Sequence, residues 1–158
     1  MTPPGSTAAL QLAVRAAVAA GLSVAIAQYL RLEHPLYAMI AAVIVIDLSP
    51  GETRHLGLTR FGGTVIGAGV GGLLSQTMRS NPFSLALGIL VSMVLSSVLR
   101  LKDAARLAGF VSGIVLLNYS EAPWPYTYHR LLETTLGIAM AVLVSYVPKL
   151  IPANARRG

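Results

Sequence analysis

The sequence predicts an all-α polytopic membrane protein whose six transmembrane helices form two inverted three-helix repeats, and three observations predict it. The 158 residues are 54% hydrophobic and only 11% charged, with mean hydropathy +0.67. A soluble domain carries about 25% charged residues, because roughly a third of the surface of its unfolded chain stays in contact with water. Six apolar runs, separated by short polar segments, account for most of the chain. Finally, Arg60, Thr64 and Gly67 recur as Arg130, Thr134 and Gly137, with the same 0, 4, 7 spacing at an offset of 70 residues.

Taken in order, the runs cover 8–30, 35–48, 61–77, 83–99, 104–119 and 131–147. A hydrocarbon core of ~30 Å takes about 20 helical residues, so the first, third, fourth and sixth runs span it, while the second and fifth are short. The opening Met1-Thr2-Pro3-Pro4 lacks the basic start of a signal peptide and five further runs follow, so the first run is expected to be a retained helix. Segment 121–129, with Trp124, Tyr126 and Tyr128, reads as an aromatic outer loop kept out of a helix by Pro123 and Pro125. The chain is thus one transmembrane domain, 1–158, with repeat one at about 8–77, repeat two at about 82–148 and a short cytoplasmic tail at 149–158.

Three helices per repeat is an odd number, so the second copy must enter the membrane from the opposite side, as in many transporters. Short segments at matching positions of two halves point to a substrate path, which singles out runs two and five; a locally thinned bilayer is the plainer account of their length. With the N-terminus inside, Arg15, Arg54, Arg60, Arg100, Lys102, Arg106, Lys149, Arg156 and Arg157 fall on the inner side. Arg31, Arg79 and Arg130 fall outside. This nine-to-three division of the 12 Lys and Arg predicts cytoplasmic termini. It also explains the net charge of +6 without nucleic acid, since no four basic residues cluster. Absence of cysteine excludes a disulfide framework and thiol catalysis.

The candidate site residues are charges within or at the ends of the runs. Arg15 lies about 10 Å into the first run at ~1.5 Å per residue, with no acidic residue in helical reach. It either snorkels to headgroups or attracts an anion. Arg60 and Arg130 stand where their runs begin, and a guanidinium beside a helix N-terminus offers a carboxylate two sources of positive potential; Thr64 belongs to the same motif. Asp47, at the end of run two, and Glu133, one turn after Arg130, are candidates for ion pairing or proton coupling. His34, His55 and His129 read as interfacial polar residues. Gly63, Gly67 and Gly71 form a small-residue stripe suited to close helix packing. No Gly-Lys-Ser/Thr phosphate loop, catalytic signature or metal-ligand spacing occurs, so neither an enzyme nor a metal or cofactor is expected.

The segment His34-Pro-Leu-Tyr-Ala-Met, together with Gly51-Glu-Thr-Arg54 and Arg60-Phe-Gly-Gly63-Thr64-Val-Ile-Gly67, resembles the fusaric acid resistance and aromatic acid exporter superfamily. Arg130-Leu-Leu-Glu133-Thr134-Thr-Leu-Gly137 resembles that family's sixth helix. The resemblance implies a multi-pass bacterial inner-membrane permease for aromatic or other organic acids. The plant aluminium-activated malate channels look like distant relatives; they are dimers with basic residues along the conducting path, which implies anion contacts for Arg15 and Arg60 and a homodimer here. The aromatic position usually filled by Trp at the start of the second helix is Tyr37, which the resemblance adds to the substrate-binding set. The leading expectation is export of small organic or aromatic carboxylate anions by a protein whose partners are membrane lipid, its substrate and a second copy. A dimeric anion channel and a non-transporting scaffold or regulatory subunit are the alternatives.

Overall fold

The computed structural model describes residues 6–118 and 123–147, and these are helical throughout apart from turns. The helices are α1 (Ser6–Tyr29), α2 (Pro35–Val45), α3 (Pro50–Thr77), α4 (Pro82–Val98), α5 (Ala105–Asn118) and α6 (Pro123–Ser145), with a short 3-10 turn at Lys102–Ala104 before α5. The end of run five at Tyr119, the end of repeat two at Pro148 and the predicted tail lie outside the described residues. Among the described residues, Thr7–Tyr29 is the one helix both long and apolar enough to cross a membrane by length and hydropathy; α2 and α4 are apolar but shorter.

Two helix starts differ from the sequence expectation. The α3 helix begins at Pro50, eleven residues before the apolar run, and α6 begins at Pro123, inside the predicted outer loop. Four of the six helices open on proline, whose fixed φ suits the first helical position. Pro125 is tolerated too, because the first four N–H groups of a helix have no intrahelical partner to lose. Arg60 is therefore the eleventh residue of α3 and Arg130 the eighth of α6. Neither sits at a helix N-terminus, and the dipole argument for them falls.

Local chemistry sets the other ends. Asn81 and Ser84 form a reciprocal cap at the start of α4: Asn81 Oδ1 accepts from the Ser84 N–H at 2.8 Å, and Ser84 Oγ accepts from the Asn81 N–H at 3.1 Å. Helices α1 and α4 close alike. The Leu32 N–H bonds to the Ala27 carbonyl and the Arg31 N–H to Gln28; the Leu101 N–H bonds to Ser96 and the Arg100 N–H to Ser97. This double closure needs a left-handed residue, commonly glycine. Here arginine fills it twice, with φ of 53° at Arg31 and 61° at Arg100.

The chain divides into two units, one comprising the residues up to Gly57 and from Thr135 onward, the other Leu58–Thr134. In the first, Ala19, Ala42, Val45, Ile46, Ala141 and Val144 of α1, α2 and α6 form a buried core. A Cβ added at Gly137 would overlap the carbonyl oxygen of Ala38 and stand 2.7 Å from the Cβ of Ala41, so α6 lies directly on the backbone of α2. In the second unit a Cβ at Gly67 would overlap the carbonyl oxygen of Ala108 and stand 2.9 Å from the Cβ of Val111. Gly63 and Gly71 continue that contact along α5, while Gly88 and Gly109 bring α4 against α5.

These two contacts are 70 residues apart at every member: Gly67 on Ala108 and Val111, Gly137 on Ala38 and Ala41. Burial follows the same offset. Ala38, Ala41, Ala42, Val45 and Ile46 are buried in α2, and Ala108, Val111, Ser112, Val115 and Leu116 in α5.

The distribution of side chains is inverted relative to a soluble protein. The largest fully buried side chains include Arg130, Leu116 and Glu133, whereas Leu10, Leu22, Leu73, Phe83, Leu90, Val98 and Phe110 are exposed. Interiors of water-soluble domains bury large apolar groups and almost never bury Arg or Glu unless they are paired. Small residues inside and large apolar ones outside is the arrangement expected where the surrounding solvent is itself apolar.

Candidate functional site

The polar interior of the second unit is built on α3 and α6. Along α3 the buried stripe includes Arg60 and Thr64; along α6 it includes Tyr126, Thr127, Arg130, Glu133 and Thr134. The spacing of three and four residues puts each set on one helix face. Arg60 is 6% exposed, Arg130 1% and Glu133 0%, and Arg130 stands near enough to Arg60 for the two positive charges to repel. The Thr64 hydroxyl donates to the Arg60 carbonyl at 2.9 Å, a local bond that fixes its rotamer and spares an orphan donor. Arg60 Nε and the Thr127 hydroxyl carry no hydrogen bond.

Two guanidiniums and one carboxylate leave this buried set with an excess of positive charge. A charge taken out of water costs several kcal/mol unless a partner offsets it. The arrangement therefore favours an anion, and planar guanidinium is the side chain best shaped to hold a carboxylate.

The remaining predicted site residues belong to the first unit. Arg15, 5% exposed, turns its guanidinium onto backbone oxygens: Nη1 donates to Leu48 at 2.9 Å and more weakly to Asp47 at 3.4 Å, and Nη2 donates to Val147 at 3.0 Å. These carbonyls lie just past the C-terminal ends of α2 and α6, where the helix dipole favours a cation. Asp47 shapes the turn into α3, its carboxylate accepting from the Ser49 N–H at 2.9 Å and its own N–H donating to Thr53 Oγ1 at 2.9 Å. Tyr37 occupies the first turn of α2, half-buried, with its ring 5.7 Å from that of His34. Gly63, Gly67 and Gly71 lie against α5. Among the described residues no group of three or more His, Asp or Glu is placed to hold a metal ion.

Sequence reasoning missed Thr127. It stands one turn before Arg130 on the same stripe, a relation visible only once α6 is known to begin at Pro123.

Described residues that are all helical, with charged side chains inside and large apolar ones outside, fit the class of helical membrane proteins. The family comparison is specific: residues 22–144 match the model of the fusaric acid resistance protein-like family, and the chain belongs to that family. Its proteins are membrane proteins of the transport and resistance type. A similar protein is the UPF0421 protein OB2406 of Oceanobacillus iheyensis, 25% identical over 112 residues, which are 70% of this chain and 32% of that protein. The chain thus spans about a third of the length of the curated relative it matches. No solved structure matches.

Proposed function

We propose that this protein is a six-span permease that exports small organic anions, probed most directly by monocarboxylates such as benzoate. The observation that carries the reading is the pair of buried arginines, Arg60 and Arg130, close enough to repel, in a second unit that buries one carboxylate, Glu133. Glu133 balances one guanidinium, and the anion balances the other; Glu133 is also the carboxyl best placed to couple a proton to transport. Thr64 supports the Arg60 turn of α3, and Tyr37 contributes to selectivity. Arg15 is assigned to holding helix ends, because its donors already meet three carbonyls.

The six helices form two repeats of inverted topology in a bacterial inner membrane, with both termini cytoplasmic and two copies per assembly. Support for the repeat is the matched contact of Gly67 with Ala108 and Gly137 with Ala38. In this arrangement the third helix of each repeat packs on the second helix of the other. The chain has no cysteine, so single cysteines at Glu33 and Lys102 report sidedness without background. A membrane-impermeant thiol reagent applied to intact cells should label position 33 and spare position 102; labelling of both or neither from one side removes the topology.

Flux tests the function. Proteoliposomes should release benzoate, and Arg60→Gln or Arg130→Gln should slow release by at least tenfold, the loss expected for one charge-assisted contact of about 1.5 kcal/mol or more. Electrogenic current that saturates weakly and needs no driving ion favours the dimeric channel. Absence of any flux from folded protein favours a scaffold or regulatory subunit.

A further inference from the structure

A hydroxyl buried in a helix ordinarily bonds back to a carbonyl three or four residues earlier. Ser23 does so to Ala19 at 2.8 Å, Thr64 to Arg60 at 2.9 Å, Ser92 to Gly88 at 2.7 Å, Ser96 to Ser92 at 2.8 Å and Ser145 to Val142 at 2.7 Å. Among the described residues, two buried serine or threonine hydroxyls depart from the rule, Ser112 and Thr127, whose oxygens have no partner. Ser112 has a packing explanation. Its Oγ lies 2.9 Å from the position a Cβ would take at Gly88, so it fills the notch that glycine leaves between α4 and α5.

Thr127 has no such explanation. It is 8% exposed, on the face of α6 that carries Arg130 three residues on, which places their Cβ atoms about 5–6 Å apart. Arg60, whose Nε also lacks a partner, feels the charge of Arg130. Unused donors at buried positions are costly, since each gives up its bond to water and gains none. A carboxylate offers two oxygens, one for a guanidinium and one for a hydroxyl, whereas a halide offers one spherical acceptor.

Resting on the anion reading above, we propose that the Thr127 hydroxyl contacts the bound anion and gives this site its preference for carboxylates over halides. The hydroxyl donates to one carboxylate oxygen while the arginines hold the other.

The test uses purified protein in detergent, titrated with sodium benzoate and separately with sodium chloride, with thermal unfolding recorded alongside. Thr127→Val keeps the shape and removes the hydroxyl. It should weaken benzoate binding about tenfold, the size of one hydrogen bond to a charged group, and leave chloride binding unchanged. Without ligand it should unfold at the same temperature or higher, because a buried hydroxyl without a partner is lost. Ser112→Ala, which empties the notch at Gly88, should lower the unfolding temperature slightly and leave benzoate affinity unaltered. Unchanged benzoate binding in Thr127→Val, or a fall in its ligand-free unfolding temperature with the benzoate-to-chloride ratio intact, overturns this inference and leaves the anion reading standing. Failure of the wild-type protein to bind either anion overturns both.

Discussion

Among the described residues, the first unit buries one charged side chain, Arg15, and the second buries three, Arg60, Arg130 and Glu133. Arg15 sits where α2 and α6 run out, and the carbonyls of Asp47, Leu48 and Val147 accept from its guanidinium. Arg60, Arg130 and Glu133 are buried in the body of α3 and α6, where most carbonyls already hold a ladder bond. The same residue type therefore has two meanings. A guanidinium that reaches the C-terminal ends of other helices completes the fold, as Arg15 does from the middle of α1; buried guanidiniums close enough to repel, as Arg60 and Arg130 are, call for a negative charge from the protein or from a ligand. The packing of the two units is otherwise alike, with a glycine of one helix lying on an alanine carbonyl of another in each.

The largest effect should come from the shared feature. Gly67→Ala and Gly137→Ala each force a methyl against backbone, which cannot swing aside, and each should cost about 3 kcal/mol, the upper end for overpacking. Similar losses in thermal unfolding confirm that the two contacts are equivalent; a loss at one position alone breaks the correspondence between the units.

Charge removal should separate the units. Arg15→Ala strips three helix-end carbonyls of their donor and should destabilise the protein by about 2 kcal/mol. Arg60→Met deletes a buried, repelled charge and should leave unfolding unchanged or raise its temperature, while abolishing benzoate-dependent stabilisation. Equal destabilisation by both substitutions would show that Arg60, too, is structural.

Smallest is the effect at the two matched turns. Arg31→Gly and Arg100→Gly relieve a left-handed backbone that disfavours a Cβ and should each stabilise by roughly 0.5–1 kcal/mol, read as a rise in unfolding temperature. Destabilisation at either turn would mean that the arginine side chain there makes a compensating contact.

Much of this architecture was legible in the chain. Runs one, two and four end within three residues of α1, α2 and α4, because each apolar stretch stops close to where its helix does. The starts of α3 and α6 were missed, since hydropathy reports contact with lipid, and Gly51-Glu-Thr-Arg54-His55 and Tyr126–Arg130 are helical without being apolar. Proline was the signal available there: it opens a helix as readily as it breaks one. Arg60, Arg130 and Thr64 stood out through their repetition. Thr127 did not, because its interest lies in a hydrogen bond that other buried helical hydroxyls make and it does not.

By itself the sequence determined the apolar character, the helical class, the approximate extent of several helices and the recurring Arg-Thr-Gly face, all of which are properties of spacing and hydropathy along a local stretch of chain. Tertiary structure alone decided which arginine gives its terminal guanidinium nitrogens to distant backbone, even though its Nε stays without a partner. The oxygens that accept from Arg15 come from residues 32 to 132 positions away, and the partner of a buried charge is a matter of which distant backbone the fold brings to it.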